Sequence, residues 1–319
     1  MKKSKIQVIK HILTITLIIF IASCNMQSKQ NTFTTEKAVD ILQNNMRTQQ
    51  EWIKVHAAEF LLWSGYFKGV KEEFLKEEQL HGDKSPYRIG IWRVLAQADP
   101  EQKELWIDKI RQAYLDENGA DRLHAIETLA KLAISAFDES TKVSDVLSVG
   151  TLDNFTVYKL WNFAYSSEDN FKIVQDSLLR FSISGNQEFL VGAISAYALK
   201  KMGNLDDVSW KLLAESALAE TTDTPIRANL LNAAIVTADI TAVQSDLYRK
   251  VFNVLISLSE KTKDNGAIMS ILDALSEKGN KEDLKIIYSI IDEIKDLEDA
   301  TSADILSSCA YAILKINEK

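Results

Sequence analysis

The sequence predicts an all-α chain built as a solenoid of about eight stacked helix pairs. Three observations predict it. Proline and glycine are sparse, 3 and 11 residues in a chain of 319, so few positions interrupt a helix. Apolar residues recur at three- and four-residue steps, the period of one helix face, and no segment alternates as a half-buried strand does. Apolar, alanine-containing helices return at intervals of roughly 32 to 39 residues, and self-similarity at such a period marks a repeat array.

Taken in order, helices of this first kind begin near Val55, Tyr87, Arg122, Thr156, Glu188, Arg227, Gly266 and Ser302. They are apolar nearly all round, which requires burial on most sides. More amphipathic helices lie between them, from Lys103 to Leu115, Phe171 to Phe181, Val208 to Leu218, Leu247 to Leu258 and Leu284 to Ile294. One apolar stripe suits an outer layer with water on its other side. The three prolines fit helix starts. Ser85-Pro86, Asp99-Pro100 and Thr224-Pro225 each set a capping side chain before a proline at the first helical position, and Gln102 completes a possible capping box with Asp99.

Ahead of this body the chain opens with Lys2, Lys3, Lys5 and Lys10, then an apolar run from Ile12 to Ala22 that ends at Ser23-Cys24. About a dozen residues cannot cross a hydrocarbon core of ~30 Å, so residues 1–23 read as an export signal rather than a membrane span. Ile21-Ala22-Ser23-Cys24 resembles the processing site of a bacterial lipoprotein. The resemblance implies that Cys24 becomes the lipidated first residue and that the body is held to a membrane by its lipid chains. Asn25 is not aspartate, and by the sorting rule of enteric bacteria this implies the outer membrane, with the leaflet left open. Residues 24–36 are polar and unpatterned, a flexible tether reaching ~35 Å, and the solenoid occupies residues 37–319.

Removal of the four leading lysines takes the 37 Lys and Arg to 33 against 45 Asp and Glu, so the net charge of -8 becomes -12. An acidic exported body is a poor ligand for polyanions, which argues against nucleic acid as a partner. With Cys24 consumed by lipid, Cys309 is alone and an intramolecular disulfide is excluded, so stability must come from packing.

The run Val55-His56-Ala57-Ala58-Glu59-Phe60-Leu61-Leu62-Trp63-Ser64-Gly65-Tyr66, followed by Gly69-Val70, resembles the HEAT-like repeats of the phycobilisome-lyase type. Arg122 to Leu132 and Arg227 to Ala238 echo it, while His56 stands where that repeat usually carries arginine. The resemblance implies a HEAT-like α-α superhelix, an architecture shared by scaffolds, adaptors and some enzymes.

Aligning the inner helices places His56, Arg88, His124 and Tyr158 at equivalent positions, with Glu59, Glu127 and Trp161 three residues on and Trp63, Lys131 and Tyr165 seven on. Such steps stay on one helix face. Together with Trp52 and Trp92 they form a polar and aromatic ladder across four neighbouring helices, and all six tryptophans fall between residues 52 and 210. Two readings stay open. The ladder can be a set of rungs that satisfies polar groups between repeats, or a groove for a sugar or peptide, in which rings give contact area and charges give orientation. Either reading puts the functional surface in the N-terminal half.

His56-Glu59 and His124-Glu127 repeat the pattern His-Ala-x-Glu, but with a third helix between them the pairs should stand ~20 Å apart, too far for one metal ion. Neither a nucleophile elbow nor a phosphate-binding glycine loop occurs, and no cofactor is called for. The expectation is therefore an envelope lipoprotein that binds a protein, glycan or peptide through the inner face of an open solenoid. An α/α-toroid enzyme acting on polysaccharide, whose cleft also carries Trp, Tyr, His, Arg and Glu, is the alternative.

Overall fold

The computed structural model describes residues 33–147, 152–184, 189–219, 224–294, 297 and 299–319. The expected export signal, Cys24 and the expected tether as far as residue 32 lie outside the described residues. Among the described residues the regular structure is helical, in seventeen α-helices. The first six are α1 (Thr35–Thr48), α2 (Glu51–Trp63), α3 (Val70–His81), α4 (Tyr87–Ala98), α5 (Lys103–Leu115) and α6 (Arg122–Lys131). Next come α7 (Val143–Leu147), α8 (Asn154–Phe163), α9 (Glu168–Ile183), α10 (Phe189–Met202), α11 (Asp207–Leu218) and α12 (Thr224–Val236). The chain ends with α13 (Ile240–Val243), α14 (Asp246–Ser259), α15 (Asn265–Lys278), α16 (Leu284–Ile294) and α17 (Ala300–Asn317).

Two layers follow from composition. The helices apolar on nearly every side, α2, α4, α6, α8, α10, α12, α15 and α17, pack each on the next. The more amphipathic ones cover them from outside, as α5 does α6, α9 does α10, and α16 does α17. In α16 the apolar stripe Ile287, Ile290 and Ile291 is buried, whereas α17 buries Ile305, Cys309, Ala310, Ala312, Ile313, Leu314 and Ile316 around most of its circumference. Alanine on the inner helices lets backbones approach, and the bulky buried residues sit between layers, among them Phe74 of α3 and Trp210 of α11.

Helix starts are chemically marked: α4 begins directly after Pro86 and α12 at Thr224-Pro225, whereas Pro100 lies three residues ahead of α5. Asp153, Ser167, Asp206, Ser245, Asp264 and Asp299 each accept a hydrogen bond from the backbone N–H three residues on, a cap contributing about 1 kcal/mol. The expected Asp99–Gln102 capping box does not form. Helix α5 begins only at Lys103, and the carboxylate of Asp99 is turned instead to Lys71 of α3, 2.8 Å away. The side chain of Ser85 is likewise taken by Asp121, at 2.5 Å.

The ends of the array do not stay free. Helix α17 packs on α1 and α2 as well as on α15, so the inner helices form a closed circuit rather than the expected open stack. Asn45 of α1 donates from Nδ2 to the carbonyl of Ala303 and to Ser307 Oγ, at 3.0 and 2.9 Å. Phe60 of α2 stacks on Tyr311 of α17, with ring centres 4.6 Å apart and planes 12° from parallel. A terminal repeat in an open array needs a polar outer face. Here both terminal helices carry apolar faces, and each covers the other. Among the described residues no helix is long and apolar enough to cross a membrane.

Candidate functional site: a cavity inside the helix circuit

Helical spacing decides what faces the centre. On α2, His56, Glu59, Phe60 and Trp63 fall on one face, and on α10 Tyr197, Lys200 and Lys201 do the same. These residues line a cavity of about 400 Å³ together with Arg93 and Gln97 of α4 and Lys131 of α6. The far wall comes from Asn229 and Asn232 of α12, Met269 and Asp273 of α15, and Ser308 and Tyr311 of α17. Seven of the eight inner helices thus contribute, and the missing one, α8, supports the wall from behind: its fully buried Trp161 packs edge-on against Tyr197, centres 5.7 Å apart.

The wall is rich in charge, and most of it is paired. Arg93 forks onto Glu59 with N–H···O distances of 2.6 and 2.9 Å, both side chains being almost fully buried at 2% and 4% exposure. Burial opposes ionisation of Glu59, but Arg93 outweighs it and holds the carboxyl below the usual range. Lys131 lies 2.7 Å from Glu127, which His124 also approaches at 3.6 Å. Burial again opposes the charge, and Lys131 and His124 override it, so Glu127 is held well below the ordinary carboxylate value. Tyr158 donates to the same carboxylate, and burial first, then Glu127, pushes its phenol up. Lys200 pairs with Asp273, to which Asn232 also donates from Nδ2 at 2.8 Å. His56 donates from Nδ1 to Asp304 at 3.0 Å.

Lys201 is different. Its ammonium sits 5.2 Å from the ring centre of Trp63 and 5.8 Å from that of Tyr197, and among the described residues no carboxylate lies within ion-pair distance of it. Lys201 is exposed to solvent. Tyr197 is ringed by cations, with Lys200 4.8 Å and Lys131 5.6 Å from its centre. Burial raises the cost of ionising this phenol, but Lys131, Lys201 and Lys200 more than offset that cost, leaving Tyr197 below the ordinary tyrosine range. An acidified phenol beside ammonium groups is a competent proton donor or acceptor.

The ladder read from sequence therefore divides. His56, Glu59, Trp63 and Lys131 reach the cavity. Glu127, Tyr158 and Trp161 form the layer behind it, and the ring of His124 lies 5.5 Å from that of Trp52, over which the Arg93 guanidinium also sits at 6.0 Å. Arg88 is a rung, its guanidinium on Asp121 just before α6. Trp92 is not on the inner face: its Nε1 donates to Glu78 of α3 at 2.6 Å, and Lys109 of α5 lies over its ring, so it is buried toward the outer layer. No three His, Cys, Asp or Glu side chains converge among the described residues as metal ligands would.

Beyond residue 212, where the sequence showed few aromatic and charged candidates, Asn232, Asp273 and Tyr311 also line the cavity. A signal for α10 was present, since Tyr197-x-x-Lys200-Lys201 repeats the spacing of His56-x-x-Glu59-Phe60. Cys309 is buried, and burial pushes its thiol far up, so it is a packing residue. No family model, curated protein or solved structure matches the chain.

Proposed function

We propose that this protein is an envelope lipoprotein, anchored through Cys24 and facing the periplasm or surface from the outer membrane, that binds a small ligand inside a HEAT-like helical repeat body. The observation that carries the reading is the cavity of about 400 Å³ to which seven inner helices contribute. Its size falls in the range of small-molecule sites, and its mixture of an aromatic wall with a few converging polar groups is what such sites use. That size favours a glycan unit, short peptide or metabolite over a folded protein partner. A thermal-shift screen of the purified chain against envelope sugars, short peptides and small organic acids tests it, run beside a variant that fills the cavity by Ser270→Trp, Ser270 being a lining residue on α15. A compound that stabilises the wild type and not the filled variant supports the reading. Compounds that stabilise both equally bind elsewhere and sink it.

The second reading is an enzyme of the α/α-toroid kind acting on carbohydrate. The closed circuit favours it, as does Tyr197, whose lowered phenol can exchange a proton with a bound substrate. Turnover of an oligosaccharide by wild type, abolished in Tyr197→Phe with binding retained, is the outcome that would replace binding by catalysis.

A further inference from the structure

Three of the four cations in the cavity wall are matched by a carboxylate: Arg93 by Glu59, Lys131 by Glu127 and Lys200 by Asp273. Lys201 lies over the faces of Trp63 and Tyr197, and Asp273 and Glu277 act on it only from beyond ion-pair distance. A second polar group is also incomplete. Asn232 is 3% exposed, and its Nδ2 must be the end facing Asp273, because a carboxylate only accepts. That orientation leaves Oδ1 buried without a donor among the described residues, an unfavourable state that a ligand donor would relieve. Trp63, 42% exposed, adds an accessible ring edge-on to Tyr311, centres 6.0 Å apart.

We infer that Lys201, Trp63 and Asn232 together receive a small ligand that carries one carboxylate, a flat apolar face and a hydrogen-bond donor. The inference rests on the reading of the cavity as a ligand site. One unmatched ammonium answers one negative charge, and the neighbouring Glu59 and Asp273 repel a dianion, so a phosphate monoester is the poorer fit. The carboxylate takes the Lys201 ammonium, the ring of the ligand lies along Trp63, and its hydroxyl or amine donates to Asn232 Oδ1. A sugar acid and a hydroxylated aromatic acid share this chemistry.

Calorimetric titration of the full chain with D-glucuronate and with 4-hydroxybenzoate, each beside its methyl ester, separates the two sources and isolates the charge. The expected result is that one acid binds, its ester binds about tenfold or more weakly, and Lys201→Met loses a similar factor while Lys201→Arg keeps most of the affinity. An ester that binds as well as its acid overturns the inference, as does a Lys201→Met variant that binds the acid unchanged, or a chain that binds neither acid. Should Lys201→Met fail to fold, the comparison of acid and ester on wild type decides alone. Binding of esters or neutral sugars that Ser270→Trp blocks would keep the ligand-site reading while removing the carboxylate. Absence of any compound sensitive to Ser270→Trp removes both.

Discussion

His56 and Asp304 are 248 positions apart in the chain and 3.0 Å apart in the fold. The bond joins the first inner helix to the last, beside the stacked Phe60 and Tyr311 and the two hydrogen bonds from Asn45. At this seam α17 packs on α1 and α2 in addition to α15 and α16.

Removing residues 300–319 should consequently do more than shorten the array. In an open stack, loss of a terminal unit subtracts one unit and one interface. Here it uncovers apolar faces of α1, α2 and α15 together, and the truncated chain is expected to lose its cooperative urea transition. A sharp transition with a slope reduced only in proportion to length would mean that the seam adds little.

Arg93 and Glu59 should behave as a unit. Arg93→Leu leaves a buried carboxylate with no guanidinium and is expected to cost about 3–5 kcal/mol in denaturant unfolding, whereas the double change with Glu59→Leu should cost clearly less than the two single changes summed. Simple additivity would show that the pair contributes nothing as a pair.

Acid sensitivity follows from the depressed carboxyls of Glu59, Glu127 and Asp273, in each of which burial is outweighed by a paired cation, Arg93, Lys131 and Lys200 in turn. A carboxyl lowered in the fold contributes its full stability above its unfolded value and loses it as pH falls toward its folded one. Stability should be level from about pH 7 to about 5 and decline below about 4, with a shallower decline in Glu127→Gln. A fall that begins on the alkaline side of pH 6 in unfolding curves would point to other groups.

Phenol titration followed by ultraviolet absorbance should resolve Tyr197. One tyrosine is expected to ionise below the ordinary value of about 10, absent in Tyr197→Phe and moved upward in Lys131→Met. Tyr248, pushed up by burial and then by Asp283 to about 12, should titrate late in the same experiment. A single uniform step for all tyrosines would remove the special environment of Tyr197.

Gly90 carries a steric test. A Cβ there would stand 2.9 Å from Val55 Cγ2 and 3.0 Å from Trp52 Cζ3. Gly90→Ala is expected to lower stability by about 1–3 kcal/mol despite the better helix propensity of alanine. A rise in melting temperature would mean that α2 and α4 have room between them.

The helices were legible because their signal is local. Lys103–Leu115 and Leu284–Ile294 have the same bounds in the structure as in the periodicity, since an apolar stripe and a flanking turn specify both ends. The join of α17 to α1 was not legible. It depends on small angles accumulated between successive helices, and no spacing of residues along the chain records them. One part of the cavity wall was visible as the ladder through His56, Glu59, Trp63 and Lys131. Asn232 and Asp273 were hidden because each is a single polar residue in an apolar helix, meaningful only once the opposite wall has been brought to face it.

Asn317 Nδ2 lies 3.3 Å from Thr35 Oγ1, so the body begins and ends at one place. The order in which its helices are translated is then a matter of history more than of architecture. A gene rearranged to start at Gly119 and to run through a short linker from Lys319 to Thr35 would encode the same set of neighbours.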